Sequence, residues 1–320
     1  MTKEKKIAFV GAGLIGSGLA VNCVLGGYPA YIQSLDPPEK TEENVKKCLE
    51  VLKSYQVIDE QQAQEALTNC HFTASIEETV KDAYFIQESV PESLKIKQET
   101  LAIIEANAPE DAVIASSTSG MLISDIFATA KHPERCMGGH PYLPAYIMPL
   151  IEITKGKDTK DAYVKKAREF YTEIGKEAVV LNKETPGFIA NRYQSAIHRE
   201  AVELVEQGIC SVEDADKALM FGVGIRWGIM GQFLTLHLGA SPEGIGNFNK
   251  KYNIDQTKPD KRLEALATWT RFPVDWDKHV QAGLEAEIAG RAEETGRDIA
   301  SIEAWRDRML IEILKLHRRL

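Results

Sequence analysis

No cysteine in this 320-residue chain stands in a C-x-x-C pair, and the five present (Cys23, Cys48, Cys70, Cys136, Cys210) show no spacing of a disulfide framework or a zinc knuckle. That composition suits a reducing cytoplasm and implies no bound metal. The chain also lacks a dense basic run before its short end, Arg318-Arg319, and its 38 Lys plus Arg are outnumbered by 47 Asp plus Glu. Nucleic acid is therefore not an expected partner. Internal repeats and low-complexity tracts are missing too, and histidine is scarce, with seven in all.

One apolar run is present. Ile7 to Gly27 follows Lys3, Lys5 and Lys6 and has the outline of a secretory signal or a membrane helix. Gly11, Gly13, Gly16 and Gly18 interrupt it at the spacing of a tight strand-to-helix turn, which a lipid-exposed helix would not use. No membrane association is expected. With 44% hydrophobic and 27% charged residues, the length exceeds one ordinary core and suggests two domains. Candidate strands Lys6-Val10, Ala30-Leu35, Tyr84-Gln87, Ala112-Ser116, Leu150-Thr154 and Ala178-Leu181 alternate with helical periodicity at Glu42-Tyr55, Leu94-Ala106 and Asp161-Ile174. This pattern predicts an α/β domain, a parallel sheet wrapped by helices, over residues 1–184. After Thr185-Pro186-Gly187 strand signals stop, and an all-α domain is expected over 185–320, with long helices at Phe188-Gln207 and Ile302-Leu316 and a helix start at Ser211.

The segment Gly11-Ala12-Gly13-Leu14-Ile15-Gly16 follows a predicted strand and opens a predicted helix, the context a dinucleotide fingerprint requires. Gly11 permits the turn, Gly13 lets the main chain approach a pyrophosphate, and Gly16 allows the helix to sit close on the strand. Asp36 follows Gly16 by 20 residues. Its carboxylate suits the ribose hydroxyls of NAD and would repel the extra phosphate of NADP. The fold class is therefore read as a Rossmann-type domain binding NAD, followed by the helical domain.

His140 ends a predicted strand in Gly138-Gly139-His140-Pro141, and Glu152 lies among aliphatic residues in Leu150-Ile151-Glu152-Ile153. An acid in that setting is costly without a partner, and imidazole is one. The pair would make a general base, with Glu152 fixing the tautomer of His140. Spacing alone leaves open a structural His140 and a Glu152 paired with a lysine.

These residues, with Glu88-Ser89-Val90-Pro91-Glu92, Ser116-Ser117-Thr118-Ser119 and Thr185-Pro186-Gly187-Phe188-Ile189-Ala190-Asn191-Arg192, resemble the 3-hydroxyacyl-CoA dehydrogenase family from the glycine motif to about residue 250. The resemblance implies that His140 and Glu152 are the catalytic pair and that Ser119 and Asn191 bond the reacting oxygen. It also implies that Glu92 and Lys97 line the nicotinamide end of the cofactor, and that the helical domain makes a homodimer, with the active site in the cleft between the domains. Read singly, Ser119 could cap a helix, Asn191 could start one, and Glu92 could be a first-turn acid. Leu143 departs from the family, which usually carries asparagine there, so the loop after His140 is expected to be held differently.

Within the family, Ile225-Arg226-Trp227, Met230-Gly231 and Phe233-Leu234-Thr235 are most similar to the branch acting on free 3-hydroxy acids, L-carnitine first and L-gulonate second. Arg226, in an apolar helical stretch, could anchor a substrate carboxylate or serve a structural ion pair. Trp227, Phe233, Trp269 and Trp276 offer faces to a trimethylammonium group or belong to ordinary core. Coenzyme A would need basic groups, and Thr41 to Ile58 sets Lys46, Lys47 and Lys53 against Glu42, Glu43 and Glu50. A 3-hydroxybutyryl-CoA substrate, an NAD-binding structural protein and an NAD-linked sensor are the other readings.

Overall fold

The computed structural model describes residues 3–240 and 244–320. It divides into two compact units, Met1–Arg192 with Arg319–Leu320, and Tyr193–Arg318. The division falls inside the helix that follows Thr185-Pro186-Gly187, so that turn and the helix's first residues belong to the first unit.

In the first unit one sheet runs in the order β3-β2-β1-β4-β5-β6-β7-β8. Its strands are β1 (Ile7–Val10), β2 (Ala30–Gln33), β3 (Cys70–Thr73), β4 (Phe85–Glu88), β5 (Val113–Ser116), β6 (Cys136–Pro141), β7 (Leu150–Lys155) and β8 (Glu177–Leu181). The helices are α1 (Leu14–Leu25), α2 (Pro38–Ser54), α3 (Glu60–Thr68), α4 (Ile76–Val80), α5 (Leu94–Asn107), α6 (Ile123–Ile126), α7 (Asp161–Glu173) and the start of α8 (Ala190–Glu206). The first six strands follow the order of a dinucleotide-binding sheet, whose switch point lies between β1 and β4. β1 is apolar throughout because helices cover both faces of the sheet. Ala8, Val10, Ile86 and Ile114 share a core with Leu101 and Ile104 of α5. The ring of Phe85, which follows the opposite alternation, meets Phe170 and Tyr171 of α7 at centroid distances of 4.4 and 5.3 Å.

The structure corrects the expectation of a parallel sheet in one place: β6 and β7 run antiparallel. Residues 142–149 between them are too few for a helical crossover, which takes a dozen or more. β3 also lies outside the expected strands. It is a four-residue edge strand, Cys-His-Phe-Thr, with His71 exposed.

The second unit is helical among its described residues. After the rest of α8 come α9 (Val212–Ala218), a π-helical segment (Leu219–Gly224), α10 (Ile225–Ile229), α11 (Gln232–Gly239), α12 (Phe248–Lys251), α13 (Lys261–Glu264), α14 (Trp276–Gly290) and α15 (Ile299–Leu316). Ser211 caps α9 by accepting from the Asp214 N–H at 3.1 Å. Phe188 stands outside α8 with φ +50°, so that helix begins two residues later than its periodicity suggests. Among the described residues, no single helix is long and apolar enough to cross a membrane.

Candidate active site

The turn after β1 separates the roles of its glycines. At Gly11, with φ +96°, a Cβ would lie 2.6 Å from the Ser89 carbonyl oxygen, and at Gly16 a Cβ would lie 1.9 Å from the Gly11 carbonyl oxygen. Those two glycines are demanded by the fold itself. A Cβ at Gly13 would meet nothing within 4 Å, so this bare, exposed position leaves the backbone open to a ligand. α1 begins there with no side-chain cap and no acid in its first turn, flanked by exposed Leu14 and half-buried Ile15. Its first N–H groups lack intrahelical partners and suit a phosphate. Asp36 lies just beyond β2, with its N–H donating to Ser34 Oγ at 3.0 Å and its half-exposed carboxylate 3.0 Å from Lys40 Nζ. Lys40 was not singled out in the sequence, although its place four residues after an acid in a helix start is a readable signal. The open Gly13 backbone and the acid past β2 fit a dinucleotide.

His140 and Glu152 are register partners across β6 and β7. His140 Nδ1 lies 2.9 Å from Glu152 Oε2, with both side chains nearly fully buried. Glu152 Oε1 accepts from the N–H groups of Ile189 at 2.9 Å and Ala190 at 3.0 Å, where α8 begins. Burial raises the Glu152 pKa, but the His140 bond and the two N–H groups outweigh it and hold the carboxyl below its ordinary range. A carboxylate that only accepts leaves Nδ1 as the donor, so the Nε2 lone pair of His140 is the basic site. The ring is held from two sides: Phe188 lies 5.3 Å away between centroids and Tyr142 lies 5.4 Å away, edge-on. Phe188 is 1% exposed, and the positive φ of Gly187 and Phe188 aims it inward.

Ser119 follows β5 and is exposed; α6 starts only at Ile123, so Ser119 caps no helix. Asn191 is the second residue of α8, and its Nδ2 donates to the Ser119 carbonyl at 3.1 Å while its Oδ1 accepts from Tyr142 Oη at 2.6 Å. The structure thus gathers His140, Glu152, Ser119 and Asn191 in the first unit.

Glu92 Oε1 accepts from Thr118 Oγ1 at 2.5 Å and from the Ser119 N–H at 3.1 Å. Burial raises its pKa, but these bonds and the charge of Lys97 lower it further, for a net fall. Lys97 is buried, and its Nζ lies 2.9 Å from Glu88 Oε1 and 3.4 Å from Glu92 Oε2. Lys97 therefore supports Glu92 from beneath. Glu88, at the carboxyl end of β4, also accepts from Ser116 Oγ at 2.5 Å. Sequence reasoning quoted Glu88 and missed its role; an acid directly after the strand-like run Tyr84-Gln87 was the available signal.

Leu143 is half-exposed, and the loop it opens is held by other groups. Buried Lys176 donates to the carbonyls of Ala145 and, at 2.9 Å, of Met148, while Asn22 Nδ2 donates to the Tyr146 carbonyl at 3.1 Å. Burial pushes Lys176 down to about 7.

In the second unit, Arg226 lies on α10 and is exposed. Trp269 and Trp276 join Phe272 and His198 in a ring cluster with centroids 4.8 to 5.1 Å apart. Among the described residues, Trp227 and Phe233 make no ring contact with that cluster. On α2, Lys46, Lys47 and Lys53 pair with Glu42, Glu43 and Glu50 at 2.5, 2.8 and 2.6 Å.

Residues 6–185 match the 3-hydroxyacyl-CoA dehydrogenase NAD-binding domain, and residues 187–281 match the C-terminal domain of the same family. L-carnitine dehydrogenases from a Pseudomonas species, Pseudomonas aeruginosa and Streptomyces coelicolor are 36, 37 and 35% identical, covering 98, 98 and 99% of this chain and 94, 94 and 96% of theirs. The fold is shared with the crystal structure of an NAD-dependent 5-formyl-3-hydroxy-2-methylpyridine-4-carboxylic acid 5-dehydrogenase (24% identity, TM-score 0.77, 99% of this chain and 98% of that one). It is shared also with (S)-3-hydroxybutyryl-CoA dehydrogenase from Ralstonia eutropha (25% identity, TM-score 0.65, 69% and 78%). The chain belongs to the 3-hydroxyacyl-CoA dehydrogenase family, and with it to the NAD-dependent oxidoreductases that act on a CH–OH group.

Proposed function

We propose that this dehydrogenase oxidises a short free 3-hydroxy acid at C3, L-carnitine first and L-gulonate second, with His140 as general base. The observation that carries the chemistry is the buried 2.9 Å bond from His140 Nδ1 to Glu152, which leaves Nε2 free to take a proton. In oxidation the hydroxyl proton passes to His140 Nε2, and the imidazolium so formed keeps its charge beside the Glu152 carboxylate. The Ser119 hydroxyl and the second N–H of Asn191 Nδ2 are the donors offered to the substrate oxygen. NAD would supply the hydride acceptor for C3. The glycine turn, Leu14 and Ile15 would hold its pyrophosphate side, Asp36 its ribose, and Glu92, backed by Lys97, its nicotinamide end.

The substrate choice rests on the full-length likeness to L-carnitine dehydrogenases and on the paired lysines of α2, which leave no surplus charge for coenzyme A phosphates. A panel of L-carnitine, L-gulonate, 3-hydroxybutyrate and 3-hydroxybutyryl-CoA, assayed with NAD at matched concentration, tests it. The highest kcat/KM is expected for L-carnitine; a thioester preferred by orders of magnitude contradicts the free-acid reading. If a free acid wins, Arg226→Met should raise its KM without changing NADH binding. An unchanged KM removes Arg226 from the substrate site.

The chain is proposed to act as a homodimer. Phe221, Ile225 and Ile229 recur every four residues and are more than half exposed, and such a stretch suits burial against a second copy. Sedimentation equilibrium at micromolar concentration should give twice the chain mass of 35.6 kDa, and a monomer would contradict it.

A further inference from the structure

Tyr142 carries no role in the reading above, yet it touches two of the groups that reading uses. Its ring stands edge-on to His140, and its Oη lies 2.6 Å from Asn191 Oδ1. The two ends of the Asn191 amide are told apart by chemistry alone. The Ser119 carbonyl, 3.1 Å away, can only accept, so it must face the NH2 group of Asn191. Oδ1 is then turned toward Tyr142, whose hydroxyl must donate. A phenylalanine in this place would leave that oxygen without its donor, and the amide would be held at one end only.

We infer that Tyr142 is a positioning residue for the oxidation: its hydroxyl locks the Asn191 amide so that the second N–H of Nδ2 is presented to the oxygen reacting at His140. The inference rests on the proposed catalytic reading and adds a residue to it. Among the described residues that second N–H has no protein partner, whereas the first is held by Ser119. With Tyr142 in place, a substrate oxygen meets an oriented donor. Without it, the amide must be ordered as the transition state forms, a cost that falls on kcat and not on ground-state binding. Tyr142 thus acts through Asn191.

The test is a double-mutant cycle of Tyr142→Phe and Asn191→Ala, assayed with NAD and the best acid of the substrate panel, with NADH binding followed by fluorescence. Tyr142→Phe should lower kcat by roughly five- to tenfold, the worth of one neutral hydrogen bond, with KM and NADH affinity within twofold. In the Asn191→Ala background the same change should cost less than twofold, because the amide it orients is gone. An unchanged kcat, or an equal loss in both backgrounds, overturns the inference. His140→Gln in the same assay separates the two ideas. If it keeps near-normal turnover, the catalytic reading fails and the inference falls with it; if it is inactive, the cycle alone judges Tyr142.

Discussion

His140 and Glu152 stand directly opposite one another on antiparallel β6 and β7, so strand pairing itself brings imidazole and carboxylate to 2.9 Å. Opposed residues on an antiparallel pair project from the same face with their Cβ atoms close. The short connection of residues 142–149 is what turns β7 back, so the reversal that departs from a parallel sheet also builds the pair.

That geometry has a consequence for stability. The Glu152 pKa is lower in the folded protein than the ordinary glutamate value of about 4.3. Its contribution is therefore full above that value and is lost as pH falls through the lower folded one, where protonation breaks the bonds to His140, Ile189 and Ala190. Melting temperatures of the native protein and of Glu152→Gln should differ most above the ordinary glutamate value of about 4.3 and converge as pH falls below it. A gap that widens on acidification would contradict this assignment.

The glycines of the first turn predict opposite behaviour for one kind of change. Gly16→Ala forces a Cβ onto a carbonyl oxygen and should destabilise the fold by about 2 kcal/mol or more. Gly13→Ala meets no protein atom and should leave the melting temperature within a degree or two while weakening NADH about tenfold, or ~1.4 kcal/mol. Thermal melts and NADH titrations of both variants decide the matter. Undiminished NADH affinity in Gly13→Ala would show that the pyrophosphate does not approach there.

Asp36 should set the preference for NAD over NADP. Removing its charge in Asp36→Ala frees Lys40, 3.0 Å away, to meet the extra phosphate, so the kcat/KM ratio of NAD to NADP should fall by at least about tenfold. Asp36→Ala with Lys40→Ala should regain part of the ratio. An unchanged ratio in the single variant would place the ribose elsewhere.

The alternation of strands and helices was legible because β1 and β5 are buried on both faces and so read as largely apolar runs. β6 was harder to see. Its sequence, Cys-Met-Gly-Gly-His-Pro, has no β-branched residue, since a Cβ at Gly139 would lie 2.1 Å from the Tyr171 hydroxyl and one at Gly138 would lie 2.9 Å from Ile123. His140 and Glu152 could be paired by the cost of a lone acid in an apolar strand, but their register could not, because it depends on the turn between the strands. Tyr142 and Phe188 gave no signal of their own. A tyrosine beside a proline and a phenylalanine after a glycine are common, and only their closeness to the His140 ring makes them part of the site.

The central claim, that His140 is the base, is tested most directly by rapid-mixing measurement of NADH formation in His140→Gln, with NADH affinity measured beside it. The account predicts that the hydride-transfer rate falls by roughly a hundredfold or more, the scale of general base catalysis, while NADH binds as tightly as before. A rate within a few fold of the unmodified protein, with NADH affinity unchanged, would contradict it.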